Sequence, residues 1–305
     1  MPNVSDVHVD AILTNVSLAY RNQAFVGQRL LPVVPVKKES DKYYKYGKER
    51  FRAPDAIRAP KTAAKEIDWA VSTANYSAEE YALAQPIDDR ERDNADSPLN
   101  IETDTTEVLT DNLLLGQEKR IATLVTNTAN IPQNITLAGV SQWSDAVNSD
   151  PVADVTTARQ TVLDATGLVP NAMVLPFKVL NKLKLHQDII DRVKYSQLGV
   201  ITLDLLKAIF EVDEILLAGA KVESAAEGQA SSLSDVWGKD VVLAYVAPRP
   251  GIKTLSLGFT FQPRGFQIRR WREEKRHSDL FEASHVVDER LVAPDCAYLI
   301  KAAIA

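Results

Sequence analysis

The apolar and polar positions change texture several times along the chain. Residues 1–36 scatter short apolar pairs among polar residues and end in LLPVVPV. Pro32 and Pro35 fix φ and bias the residues before them away from helix, which predicts an extended arm whose valines must be covered by something else. Residues 37–66 nearly lack aliphatic side chains and set Tyr43, Tyr44, Tyr46 and Phe51 among charges. Such a stretch cannot supply its own core, so it is either a flexible loop or a long hairpin that projects and packs on a partner. Residues 69–87 alternate well enough to be the returning strand.

A polar link, 88–100, leads to Asp104-Thr-Thr-Glu107, which resembles a capping box and predicts a helix to about Asn127. Val108, Leu114, Leu115, Ile121 and Val125 would form its apolar face, and such a helix spans about 36 Å. Residues 131–149 are loop-like. Asp150-Pro151 then starts a helix that Gly167 stops. Asn171–Leu175 reads as a short buried strand, with helices near 177–186 and from Thr202 to Phe210, and strands near 213–218 and 236–246. This alternation predicts an α/β lobe over about 145–250 within an α+β chain. Residues 259–303 are β-rich. Between Phe266 and Arg276 charges fall on both strand faces, which predicts a protruding ribbon or one that meets a neighbouring subunit rather than a central strand.

Composition narrows the class. At ~150 residues per domain, 305 residues make about two domains, and 45% hydrophobic with 25% charged excludes wholesale disorder. The net charge of −6 argues against a chain whose main task is gripping nucleic-acid phosphates. Twelve glycines leave few phosphate-cradling loops, and the lone Cys296 excludes an intrachain disulfide. There is no apolar run of ~18 residues and no signal-peptide pattern, so the expectation is an intracellular-type soluble protein without a membrane partner. The charge is unevenly spread. Residues 37–66 carry ten Lys/Arg against five Asp/Glu, a net of +5, whereas 88–118 carry ten acids against Arg90 and Arg92, a net of −8.

Candidate chemistry is thin. His8, His186, His277 and His285 show no metal-ligand spacing; His277 and His285 flank a predicted hairpin, which leaves two readings, a pair that approaches across it or exposed strand histidines. His277-Ser278-Asp279 holds triad residue types, but triad groups converge through the fold rather than by adjacency. Asp88-Asp89 and Glu273-Glu274 read as solvated pairs, and Cys296 as a small core residue. Arg264, Arg269, Arg270, Arg272, Lys275 and Arg276, with Phe266 and Trp271, allow three readings: DNA contact, salt bridging between subunits, or solvation. With no cofactor site and no catalytic constellation in view, the expectation is a structural protein, not an enzyme.

The order of arm, basic aromatic loop, long helix, α/β lobe and terminal ribbon resembles the major capsid proteins of tailed bacteriophages, with the Hong Kong 97-type fold. The stretches AFVGQRLLPVVPVKKESDKYYKY, IDDRERDNADSPLN, WSDAVNSDPVADV, LVPNAMVLPFKVLNKLKLHQDIIDRVKYSQ, LLKAIFEVDEILLAGA and SDVWGKDVVLAYVAPRPG resemble one branch of that family, the one like the lambda coat protein E. The resemblance implies an N-terminal arm (1–36), an extended loop (37–87), a peripheral domain with a spine helix (88–142), an axial domain (143–255) and return strands of the peripheral domain (256–305). It implies a homo-oligomer of hexamers and pentamers closing into an icosahedral head in the host cytoplasm. It further implies a portal protein, separate scaffolding and decoration proteins where used, and packaged DNA enclosed without sequence-specific binding. No built-in scaffolding segment is expected, so the resemblance implies a separate scaffolding protein or none. Lys61 and Lys65 lie in the loop where some members cross-link lysine to asparagine, but no matching asparagine and acid can be placed. The subunit interface is expected at Lys42, Tyr43, Tyr44, Lys45, Tyr46 and Lys48 of the loop, at Asp104, Glu107 and Asp111 of the helix, and at Arg269, Arg270 and Arg272 of the ribbon. A host-encoded nanocompartment shell shares the fold and is the alternative, with an unrecognised α/β hydrolase behind it.

Overall fold

Two five-stranded sheets, joined by one long helix, organise the chain. The computed structural model describes residues 8–9, 25–46, 51, 53, 55–66, 71–94, 100–194, 201–225, 228–251 and 254–305. In chain order the elements begin with β1 (His8–Val9), α1 (Gly27–Leu30), β2 (Val33–Pro35), β3 (Ser40–Tyr46), β4 (Val71–Ser77), β5 (Glu79–Asp88), α2 (Asp89–Asp93) and α3 (Ile101–Val125). There follow β6 (Asn134–Thr136), α4 (Pro151–Thr166), β7 (Ala172–Pro176), α5 (Phe177–Leu183), α6 (Gln187–Val193) and α7 (Leu203–Phe210). The chain ends with β8 (Glu214–Ala218), β9 (Lys221–Glu223), β10 (Leu233–Asp235), β11 (Val241–Ala244), β12 (Gly258–Glu273), β13 (Ser278–Leu291) and β14 (Ala297–Lys301).

The first sheet runs β1-β12-β13-β5, with β2 pairing in parallel with β12. The second runs β6-β14-β11-β7-β8, and its strands alternate between two cores because successive side chains point to opposite faces. Met173 and Leu175 enter the core under α4 to α7, whereas Val174 enters the core shared with α1 and the C-terminal half of α3. Both faces are covered, so β7 is buried at every position, as its continuous apolar run predicts. The start and stop of α4 also follow expectation. The Asp150 carboxylate accepts from the amides of Val152 (3.1 Å) and Ala153 (2.9 Å), and Gly167 ends the helix at φ 71°.

Helix α3 opens one turn earlier than the Asp104–Glu107 pattern predicts, because Asn100 caps it by accepting from the Thr103 amide. Glu102 and Asp104 then sit in its first turn, where the helix dipole favours acids. Its buried face also differs from expectation. Ile121 and Val125 are buried as expected, but Val108 is 53% exposed, and Thr106, Leu109, Thr110, Leu113, Gln117 and Glu118 are buried. Threonine hydroxyls make this possible by donating to carbonyls one turn back: Thr106 to Glu102 and Thr110 to Thr106. The N-terminal half (Leu109, Leu113) packs on the first sheet and the C-terminal half (Ile121, Ala122, Val125) on the second. Over 25 residues, about 37 Å, one helix spans both lobes.

Three expectations shift in detail. Residues 79–88 belong to the first sheet rather than to the projecting loop, which keeps the β3–β4 hairpin. The terminal return is split, since β14 inserts between β6 and β11 of the second sheet. Strand β12 is a central strand despite its charges, because β13 supplies carboxylates opposite its arginines, Glu282 across from Arg269 and Asp279 across from Arg272.

Candidate subunit interface

The β3–β4 hairpin is rooted by aromatic packing. Tyr43 and Tyr76, both buried, sit against Phe261 of β12 with ring centres 5.4 and 4.6 Å away. Tyr43 is therefore an anchor inside its own chain rather than a surface contact. Beyond the root, Lys42 and Tyr44 are exposed, Lys45 is half-buried with its Nζ 5.9 Å from the Tyr43 ring centre, and residues 55–66 are exposed throughout. Tyr46 pairs with Val71 in the ladder; Lys48 lies outside the described residues. On α3, Asp104 is exposed, and Glu107 and Asp111 are partly so.

The arginines expected at a boundary are engaged within the chain. Asp279, 7% exposed, accepts from Arg92 (2.6 Å) and Arg270 (2.7 Å), and Arg270 also lies 3.1 Å from Glu102. Arg272 grips Asp89 with two bonds of 2.6 Å, and Arg269 reaches Glu282 at 3.5 Å. Burial alone would raise the Asp279 pKa, but the hydrogen bond and charge of Arg270, with Arg92 and Arg272, hold it below the usual range. The hydrogen bond from Arg272 likewise lowers Asp89. None of the three readings of this cluster named an intrachain network tying α2 and α3 to the ribbon.

Of the two ribbon histidines, His277 is exposed as expected and His285 is not. His277 sits in the turn after β12 and His285 well up β13, about 26 Å of strand apart, so they do not converge. His285 is 1% exposed, against Phe266 (4.4 Å) and Tyr81 (5.9 Å). Neither of its ring nitrogens has a hydrogen-bond partner, and burial, with the nearby Arg120 charge, pushes its pKa down to about 4. Burial, with a smaller contribution from Asp295, pushes the Cys296 thiol up to about 12, as suits a core residue.

One serine–histidine pair deserves a chemical test. Ser149 Oγ lies 2.9 Å from His186 Nε2, both buried. His186 Nδ1 accepts from the Asp188 amide, so the ring proton is on Nε2 and is donated to Ser149, whose own proton goes to the Asp145 carbonyl. The ring is thus a donor to the serine and not its base; the pair caps α6 and pins the loop before α4. Among the described residues no group of three or more His, Cys, Asp or Glu could hold a metal, and no helix is long and apolar enough to cross a membrane.

Sequence reasoning missed Glu118, which is 2% exposed and accepts from the amides of Val26 (3.0 Å) and Gly27 (2.7 Å) and from Trp237 Nε1 (2.6 Å). Burial raises its pKa against the pull of these donors.

Among the described residues, one long helix joins two five-stranded sheets and a two-stranded hairpin is rooted on the first of them. The solved capsid of Cyanophage P-SCSP1u shares this fold, with a TM-score of 0.63 at 12% identity over 93% of this chain and 89% of that one. A crystal structure of a phage-related protein from Bordetella bronchiseptica RB50 matches with a TM-score of 0.79 at 31% identity, over 97% of this chain and 98% of that one. The major capsid protein of Burkholderia phage BcepMu is 31% identical over 299 residues, covering 96% of this chain and 95% of the relative. No model of a known protein family matches the chain. The chain belongs to the major capsid proteins of phages.

Proposed function

We propose that copies of this chain assemble into the shell of a tailed-phage head, as hexamers and pentamers of an icosahedral capsid that encloses double-stranded DNA without reading its sequence. The observation that carries this is the 31% identity, over nearly the full length, to a phage major capsid protein. It also favours a virion shell over a host nanocompartment, and a portal with any scaffolding and decoration proteins would complete the head. The arrangement of Ser149 and His186 as a cap is in keeping with a structural role.

At finer scale, the hairpin of one subunit lies over the acidic ridge of the next, bringing Lys42, Tyr44, Lys45 and Lys48 toward Asp104, Glu107 and Asp111. What supports this is the +5 of 37–66 against the −8 of 88–118, and a hairpin rooted at one end and exposed beyond it. Arg270 and Arg272 serve the boundary indirectly, by holding that ridge in shape through Glu102, Asp89 and Asp279, while Arg269 pairs with Glu282 across the ribbon behind it. Electron microscopy of the purified chain tests both levels. Wild type is expected to form shells or capsomers, and the Lys42→Glu, Lys45→Glu, Lys48→Glu variant to fold but assemble poorly. Absence of any assembly by wild type under varied conditions overturns the function, and a wild-type shell yield from the variant overturns the charge pairing.

A further inference from the structure

Residues 26–36 cross from one lobe to the other. At one end Val26, Leu30 and Leu31 enter the core between α3 and the second sheet, and Arg29 pairs with Glu214 of β8. Here the Glu118 carboxylate joins the strap, the spine helix and the turn before β11 through its three donors. A buried carboxylate is tolerable only when its lone pairs are filled, so these donors are required together. A Cβ on Gly27 would lie 2.6 Å from Glu118 Oε2 and 2.9 Å from Ile121 Cδ1, so any side chain there must push the seated carboxylate or Ile121 aside. At the other end Thr260 Oγ1 donates to the Leu31 carbonyl and the Thr260 amide to that of Pro32, both at 3.0 Å. Strand β2 then pairs with β12, and Val34 enters the cluster of Tyr43, Tyr76, Phe259 and Phe261 that roots the hairpin.

We propose that residues 26–36 are a latch strap, seated by Glu118, that couples the lobe junction to the hairpin root so that unseating the strap loosens the hairpin. The coupling is a property of the single subunit and stands apart from the shell reading.

Hydrogen exchange on the unassembled full chain tests it. In Glu118→Gln the side-chain amide offers one acceptor where two oxygens now serve, and it turns a donor toward a donor. The amides of Val26, Gly27, Val33, Val34 and Val36, and those of the hairpin strands 41–46 and 72–77, are expected to exchange about tenfold faster or more. Those of 172–175 and 241–244 should keep wild-type protection. Gly27→Ala reaches the same seat by steric collision and should reproduce the pattern, which keeps the test decisive if the first variant does not fold. Unchanged exchange at Val26 and Gly27 overturns the proposal. So does a loosened strap beside an unaltered hairpin, or a loss shared equally by 172–175 and 241–244.

Discussion

His285 shows how one side chain sets a condition on the whole subunit. Its ring lies between Phe266 of β12 and Tyr81 of β5, with the Arg120 guanidinium of α3 stacked 3.7 Å from the Tyr81 ring centre and paired to Glu289 at 2.9 Å. A proton there would be buried beside a cation with no acceptor, so the folded pKa falls from 6.5 to about 4. Above pH 6.5 the ring is neutral in both folded and unfolded chains. Between 6.5 and about 4 only the unfolded chain takes up the proton, so stability drops as pH falls through that window, by up to roughly 3 kcal/mol. His285→Leu should lessen this loss, read as denaturant midpoints at pH 7 and pH 4.5; an unchanged difference between the two would show that other groups carry it. The sequence marks neither His285 nor Glu118 as special. Their importance comes from burial, and burial of a polar residue in a strand or on a helix is set by what the rest of the fold lays over it. The Asp150 cap was legible because its partners are two and three residues away.

Elements whose signals are local came through, and those that borrow surface from elsewhere did not. Strand β7 needed only its apolar run, and α4 only its two ends. Leu175, fully buried, tests that strand: Leu175→Asp places an unpaired charge in the core under α4 and α5 at a cost of several kcal/mol. It should yield insoluble protein or a lowered melting transition, and a variant with wild-type melting would contradict the assignment. The spine helix was legible as a helix but not in its facing, because threonines, Gln117 and Glu118 fill buried positions that hydropathy assigns to solvent. Strand β12 was misjudged for a related reason, its charges being neutralised by β13. The hairpin root depends on Phe261, whose ring meets both Tyr43 and Tyr76. Phe261→Ala should cost about 3–5 kcal/mol and speed cleavage near the hairpin more than within α4. Uniform acceleration in both places would mean that the ring supports the fold generally.

At the scale of the whole molecule, two kinds of surface stand in contrast. The lobes are closed by four apolar clusters, whereas residues 55–66 lie exposed with no core of their own. Such a segment gains order only from something outside the subunit. Where copies meet through opposite charges, each exposed pair contributes about 0–1 kcal/mol, yet a closed shell repeats the contact at every subunit, so small terms decide assembly. Two consequences follow from this one cause. Assembly should weaken with added salt, because the screening length shrinks from ~10 Å at 0.1 M to ~3 Å at 1 M. Limited proteolysis of unassembled subunits should cut within 55–66, before the lobes, while assembled shells resist at the same protease concentration. Equal cutting in both states, or yields of assembled particles that do not respond to salt, would mean that the projecting hairpin is not what joins one subunit to the next.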